Sequence, residues 1–221
     1  MSDSASGSTG QCPRGSSAPL LRSSRTEEDK EELQGINPNL EISVIPNGID
    51  LEIFHPENKA RDEATLLFVG NYEYPPNHDA ALVLARDIFP QVVASMPNTK
   101  LQLVGNAPTD EMKKFASDNI EITGRVARVQ DYLATATVFV CPLRVGAGIK
   151  NKVLEALAMQ IPTIATALSV EGISAKHGEH LLVAEIDTMA NTIIKLLNNS
   201  TLQKSLSGNS RLLIEENYSW Q

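Results

Sequence analysis

Residues 146–156 read Gly-Ala-Gly-Ile-Lys-Asn-Lys-Val-Leu-Glu-Ala, which places two glycines, two lysines and a carboxylate at the mouth of an otherwise apolar helical pattern. Gly146, Ala147 and Gly148 carry no bulky side chain that would keep a ligand from the backbone. The first amides of a helix have no intrahelical acceptor, and with the helix dipole they make a site for an anion. Lys150 and Lys152 fall in the expected first turn, where positive charge opposes the dipole. A di-anion at the mouth resolves that conflict; two solvated surface lysines behind a glycine turn are the competing reading. Glu155 follows Lys152 at i+3, so it is placed either to accept hydrogen bonds from a ligand's hydroxyl pair or to form a plain ion pair. Spacing leaves both open.

Other chemistries find less support. His177 and His180 have no cysteine or HExxH partner and read as a surface loop feature. No GxxxxGK[ST] motif occurs, and no GxGxxG follows the first strand of the main repeat. Cys12 and Cys141 make no disulfide framework; Cys141, in the run Val138-Phe139-Val140-Cys141, reads as a buried small hydrophobe. The 221 residues, 42% of them hydrophobic, suffice for a packed core. A formal net charge of −8 argues against a nucleic-acid surface, so any anionic ligand must be held by local groups. No apolar run is long enough to span a membrane and no signal peptide pattern opens the chain, so a cytoplasmic setting is expected.

The elements that must position these residues alternate regularly. Residues 1–26 are dominated by Ser, Gly, Pro and Thr and are expected to be disordered. Thr26 to Gln34 reads as a short exposed helix and Leu40 to Val44 as a short strand. Apolar runs at 66–69, 101–104, 120–123, 137–141, 162–165 and 180–183 read as strands. Helices are expected at 79–94, 109–117, 129–134 and 149–159. Two more are expected near the end, one capped by Asp187 and one by Ser200 with Gln203 in capping-box spacing. Such alternation predicts an α/β fold: a single Rossmann-like domain with a parallel sheet flanked by helices on both faces. Ligands of such sheets bind beyond the strands' carboxyl ends, at the switch point. Those ends here are Gly70, Gly105, Gly124 and the segment 142–148, where a glycine could equally serve only to permit a turn.

The order of motifs resembles a known family. Val44-Ile45-Pro46-Asn47-Gly48-Ile49-Asp50, with Phe54 and Pro56 after it, is similar to the signature that opens the C-terminal half of the group 1 (RfaB/WaaG-like) glycosyltransferases. Phe68-Val69-Gly70, Leu103-Val104-Gly105, Ile122 to Val126, Val140 to Leu143, Gly146 to Ala156, Ile161 to Thr166 and Val170 to Gly172 follow in the family's order. The resemblance covers roughly residues 42–220. It implies the donor-binding half of a GT-B enzyme, retaining and metal-free, whose substrate is a UDP- or GDP-linked sugar and whose acceptor is a hydroxyl. By resemblance, Glu155 hydrogen-bonds the donor ribose, and Gly146, Ala147 and Gly148 approach the diphosphate and sugar. Arg125 and Val126 lie near the base, and Gly70, followed by Asn71, turns beneath the phosphates. Leu143, Lys150, Lys152 and Leu154 complete the expected donor site; no catalytic residue is assigned.

Two departures qualify that expectation. The family commonly carries two glutamates eight positions apart, and the first position here is Ala147. It also often places an Arg and a Lys after the first strand, whereas Asn71 to His78 has neither; Lys150 and Lys152 are expected to supply that charge. Residues 27–50 resemble the end of an N-terminal domain and a linker, with the donor-binding domain at 51–221. The chain is thus expected to be a truncated enzyme whose acceptor half is missing or sits on a separate subunit, with peripheral membrane contact left open. A non-catalytic nucleotide-binding module, or an inactive fragment, is the alternative.

Overall fold

A computed structural model describes residues 22–24, 27–44, 47–57 and 64–220. The chain divides into two compact units, Met1–Ile45 and Pro46–Gln221. In the first, strand β1 (Arg22–Ser24) pairs in parallel with β2 (Ile42–Val44), and helix α1 (Glu27–Ile36) joins them. Composition predicts disorder through residue 26, yet 22–24 form a strand because β2 offers their backbone a ladder partner. Residues 1–21, 25 and 26 lie outside the described residues, as do Ile45 and Pro46 of the signature.

The second unit starts before residue 51. Ile49 is buried, donates its amide to the Tyr218 carbonyl at 2.6 Å and accepts from the Trp220 amide at 3.3 Å. Those bonds tie the segment to the chain's far end, a pairing invisible to local pattern.

Six parallel strands form the sheet: β3 (Thr65–Val69), β4 (Lys100–Val104), β5 (Ile120–Ile122), β6 (Val138–Cys141), β7 (Thr163–Ala165) and β8 (Leu182–Val183). Their order is β5-β4-β3-β6-β7-β8. β3 and β6 are buried along nearly their whole length, as their continuous apolar runs require, and Cys141 is fully buried. The chain builds outward through β4 to β5, then returns to the other side of β3. The switch point therefore lies between β3 and β6.

Helix boundaries differ from the periodic pattern where backbone chemistry intervenes. α2 (Pro75–Val83) starts four residues before the expected Asp79 because Pro75 and Pro76 are favoured in a first turn, where no amide donor is needed. A π-helical turn, Leu84–Ile88, then joins α2 to α3 (Phe89–Ser95). Pro90 has no N–H to give the Arg86 carbonyl, and the wider turn accommodates that loss. The Gln91 side chain donates to the Asp87 carbonyl at 2.7 Å.

α4 (Asp110–Lys113) is shorter than expected, since Ser117 and Ile120 exchange backbone hydrogen bonds that turn the chain toward β5. α5 (Val129–Thr135) and α6 (Asn151–Ala158) follow, the latter two residues shorter at its start than the pattern suggests. Glu185, not Asp187, precedes α7 (Ile186–Leu197), and Asp187 instead sits in the first turn, complementing the dipole. Asn199, not Ser200, caps α8 (Ser200–Asn217), its side chain accepting from Leu202 N at 2.9 Å. Gln203 makes no capping box; its amide donates to the Leu196 and Leu197 carbonyls, closing the end of α7.

The strand-end glycines separate into requirements and conveniences. Gly105 has φ +149°, and a Cβ there would lie 1.7 Å from the Gly70 carbonyl oxygen. Gly70 is crowded by Asn77, whereas space around Gly124 is open. Gly105→Ala should destabilise the chain by about 3 kcal/mol or more, since backbone rather than a flexible side chain must move. Gly124→Ala should cost under about 1 kcal/mol. Urea unfolding followed by circular dichroism measures both.

Candidate functional site

A cavity of about 250 Å³ opens at the switch point. Tyr74, Pro76 and Asn77 line it from the β3 side; Leu143, Val145, Gly146, Ala147, Ile149, Lys150, Asn151 and Lys152 line it from the β6 side. Gly146 (φ +121°) and Gly148 (φ +73°) turn the chain back so that α6 starts at the cavity. The glycine motif thus does meet the helix mouth, as its sequence predicts.

The two lysines hold different stations. Lys150 is the residue before the first turn of α6, not part of it, and its buried ammonium donates to the Gly148 carbonyl. That contact fixes the glycine loop. Burial pushes the Lys150 pKa down, partly opposed by Glu171. Lys152, in the first turn, donates to Asn77 Oδ1 and lies 4.6 Å over the Phe68 ring. Burial lowers its pKa too, with the Glu155 charge acting the other way. Both lysines are partly shielded from water, Lys150 more by its side chain's packing and Lys152 half-buried, so an arriving anion meets reduced competing solvation.

Glu155 does not form the i,i+3 ion pair that its spacing allows. Its half-buried carboxylate has no hydrogen-bond or salt-bridge partner among the described residues, because Lys152 turns to Asn77. Burial raises its pKa above the ordinary 4.5, and Lys152 only partly offsets that.

The remaining expected residues spread around the cavity. Leu143 and Ala147 line it directly. Gly70 and Asn71 stand behind Asn77: Gly70 would touch it through any side chain, and the Asn71 carbonyl accepts from Asn77 Nδ2 at 2.9 Å. Arg125 is exposed and Val126 is packed against the core; both follow β5, the sheet edge, and neither lines this cavity. Leu154 is fully buried, so its side chain serves the core and cannot touch a ligand. The helical face that buries Val153, Leu154 and Leu157 takes it away from the mouth.

Several positions escaped sequence reasoning. Arg144 forks onto Asp79, with Nε to Oδ2 at 3.0 Å and Nη2 to Oδ1, and the guanidinium holds the Asp79 carboxyl below its usual range. This pair joins the loop after β6 to α2. His78 Nε2 lies 2.9 Å from Thr109 Oγ1, joining α2 to the cap of α4. Asn47 donates to Asn151 Oδ1 at 2.7 Å at the start of α6. Asn47, in the Pro-Asn-Gly signature, and Asn151, in the Gly146–Ala156 motif, carried a signal; Arg144, Asp79 and Thr109 carried none. His180 is buried, not a surface residue, and its Nδ1 accepts from Lys176 N at 3.0 Å; His177 Nδ1 accepts from Val183 N at 2.9 Å. Among the described residues no group of three or more His, Cys, Asp or Glu is arranged to hold a metal, and no helix is long and apolar enough to cross a membrane.

A parallel sheet carrying a cation-lined cavity at its switch point defines a Rossmann-like α/β domain of the kind that makes one half of a GT-B enzyme. Residues 63–199 match the family described as glycosyl transferases group 1, and the chain belongs to that family. It is 29% identical over 163 residues to an uncharacterized 44.6 kDa protein of the cps region of Klebsiella pneumoniae, covering 69% of this chain and 42% of that one. It is 28% identical over 177 residues to a protein assigned to teichuronic acid biosynthesis as glycosyltransferase TuaC in Bacillus subtilis, covering 73% and 41%. The chain spans about two fifths of the length of these curated relatives. A crystal structure of Staphylococcus aureus TarM, in complex with UDP among other ligands, superposes with a TM-score of 0.74 at 20% identity. It covers 89% of this chain and 41% of TarM.

The buried carboxylate yields a pH test. Its folded pKa is raised, so the folded state binds more protons than the unfolded one above pH 4.5, and stability contributed by this group falls as pH rises through that window. Glu155→Gln removes the desolvated charge. It should unfold at higher urea than wild type at pH 7.5, with the gain shrinking toward pH 4.5; urea titrations across that range measure it.

Proposed function

We propose that Pro46–Gln221 is the donor-binding half of a glycosyltransferase, taking a nucleoside diphosphate sugar for transfer to a hydroxyl acceptor. The observation that carries this reading is the pair of cavity-lining lysines, Lys150 and Lys152, held by neutral oxygens at the glycine-flanked mouth of α6. A diphosphate there would meet open helix amides, the dipole and the Lys152 charge together. As the glycosyl bond breaks, negative charge grows on the leaving diphosphate, and preoriented cations stabilise that charge where it develops.

The Glu155 carboxylate has no hydrogen-bond or ion-pair partner among the described residues, which suits it to accept from the two ribose hydroxyls. Arg125 and Val126, at the end of β5, would border the base, and Gly70 with Asn71 would underlie the phosphates. Ala147 leaves the sugar without a carboxylate at that position. Full turnover requires the acceptor half, and polysaccharide assembly is the setting in line with the Bacillus relative. The donor is a UDP- or GDP-linked sugar; the TarM structure holds UDP.

Calorimetry with UDP, GDP and inorganic pyrophosphate tests the reading. Lys152→Ala should weaken UDP and pyrophosphate alike by roughly tenfold or more, the worth of a charge-assisted hydrogen bond. Glu155→Gln should weaken UDP while leaving pyrophosphate unchanged. Failure of wild-type chain to bind any of the three at millimolar concentration would overturn the proposal.

A further inference from the structure

We propose that Asn77 is a positioning residue that aims the Lys152 ammonium at an anionic group in the cavity; this rests on the reading of the cavity as a diphosphate site. Asn77 is one of the buried polar residues among those described, 9% exposed, and it lines the cavity beside Lys152. Its amide orientation is settled by its partners. Nδ2 donates to the Asn71 carbonyl, and the ammonium, which has no acceptor, takes Oδ1.

Away from the cavity, Asn77 is itself held by its neighbours. It sits in the first turn of α2 behind two prolines, with its amide donating to the Tyr74 carbonyl at 3.0 Å. A Cβ on Gly70 would come within 3.0 Å of Asn77 Cβ, so the bare glycine is what lets the asparagine close in. Asn71 is anchored in turn: its Oδ1 accepts from Glu73 N at 3.3 Å and from Asn106 Nδ2 at 3.3 Å. The loops after β3 and β4 are thereby linked, through Asn71 and Asn77, to one ammonium.

The chemistry of the partner matters as much as its place. An amide oxygen is neutral, so it orients the ammonium without cancelling its charge; a carboxylate would do both. The Phe68 ring face, 4.6 Å away, is likewise a neutral support. With one donor on Asn77, Lys152 keeps donor capacity and its full charge for the cavity. Asn77→Ala leaves a half-buried ammonium with the ring alone, and that ammonium gains by leaving its station for water.

The test is a double-mutant cycle on the full chain, read by calorimetry with UDP and with inorganic pyrophosphate at pH 7.5. Asn77→Ala should weaken both ligands about tenfold in the wild-type background and less than twofold in the Lys152→Ala background. Asn77→Asp keeps the side chain's shape and an oxygen for Lys152, losing only the donor to the Asn71 carbonyl, and it carries the test if Asn77→Ala fails to fold. It should weaken both ligands more than alanine does, because its carboxylate neutralises Lys152. If Lys152→Ala weakens binding but Asn77→Ala costs the same in both backgrounds, Asn77 is merely structural and the proposal falls. Unchanged binding by Asn77→Asp also overturns it. If Lys152→Ala itself leaves binding intact, the diphosphate reading fails, and Asn77 loses its role with it.

Discussion

β3 and β6 run side by side although the chain visits β4 and β5 between them, and the site depends on that pairing. Helices that connect neighbours on one side of a sheet cover its face, but where the winding reverses direction the carboxyl end stays open. The loops after β3 and β6 then confront each other across the opening. Two contacts hold them: the Arg144 fork on Asp79 and the Lys152 ammonium on Asn77. Take away the β3–β6 register and neither contact can form, because their partners lie on different elements with no local reason to meet.

Within that opening the charges are arranged by what they lack. The chain as a whole carries −8, so its long-range field repels an anion. The cavity answers with lysines whose partners are neutral: a carbonyl for Lys150, an amide oxygen and an aromatic face for Lys152. Had Lys152 paired with Glu155, the carboxylate would have screened the charge and been occupied itself. Separated, both stay available, at the cost of two desolvated groups whose pKa values shift toward their neutral forms. A domain tolerates such strain where the rest of its core is well packed, and here the central strands are buried nearly throughout.

Much of the fold was legible because strands buried on both faces leave continuous apolar runs, and six such runs followed by glycines or loops announce a parallel sheet. The helix ends were less legible. Pro90 forced a π turn inside one apolar stripe, and Asn199 outcompeted Ser200 as a cap, choices among neighbouring residues that periodicity cannot rank. The strand at 22–24 was invisible, since Arg-Ser-Ser has little propensity of its own and depends on β2.

By itself, the sequence determined that Gly146 to Glu155 would form a glycine-flanked helix mouth bearing cations and a carboxylate. The local rules of helix starts and positive-φ glycines act between near neighbours. It could not choose between an ion pair and two separate groups, for both lay at permitted spacing. Tertiary structure made that choice by bringing Asn77, seventy-five positions from Lys152, into hydrogen-bonding reach. It also turned Leu154 into the core, made Gly105 obligatory through the Gly70 carbonyl and set Arg144 on Asp79. Each of these depends on distances across the sheet, which strand order fixes and which no stretch of neighbouring residues encodes.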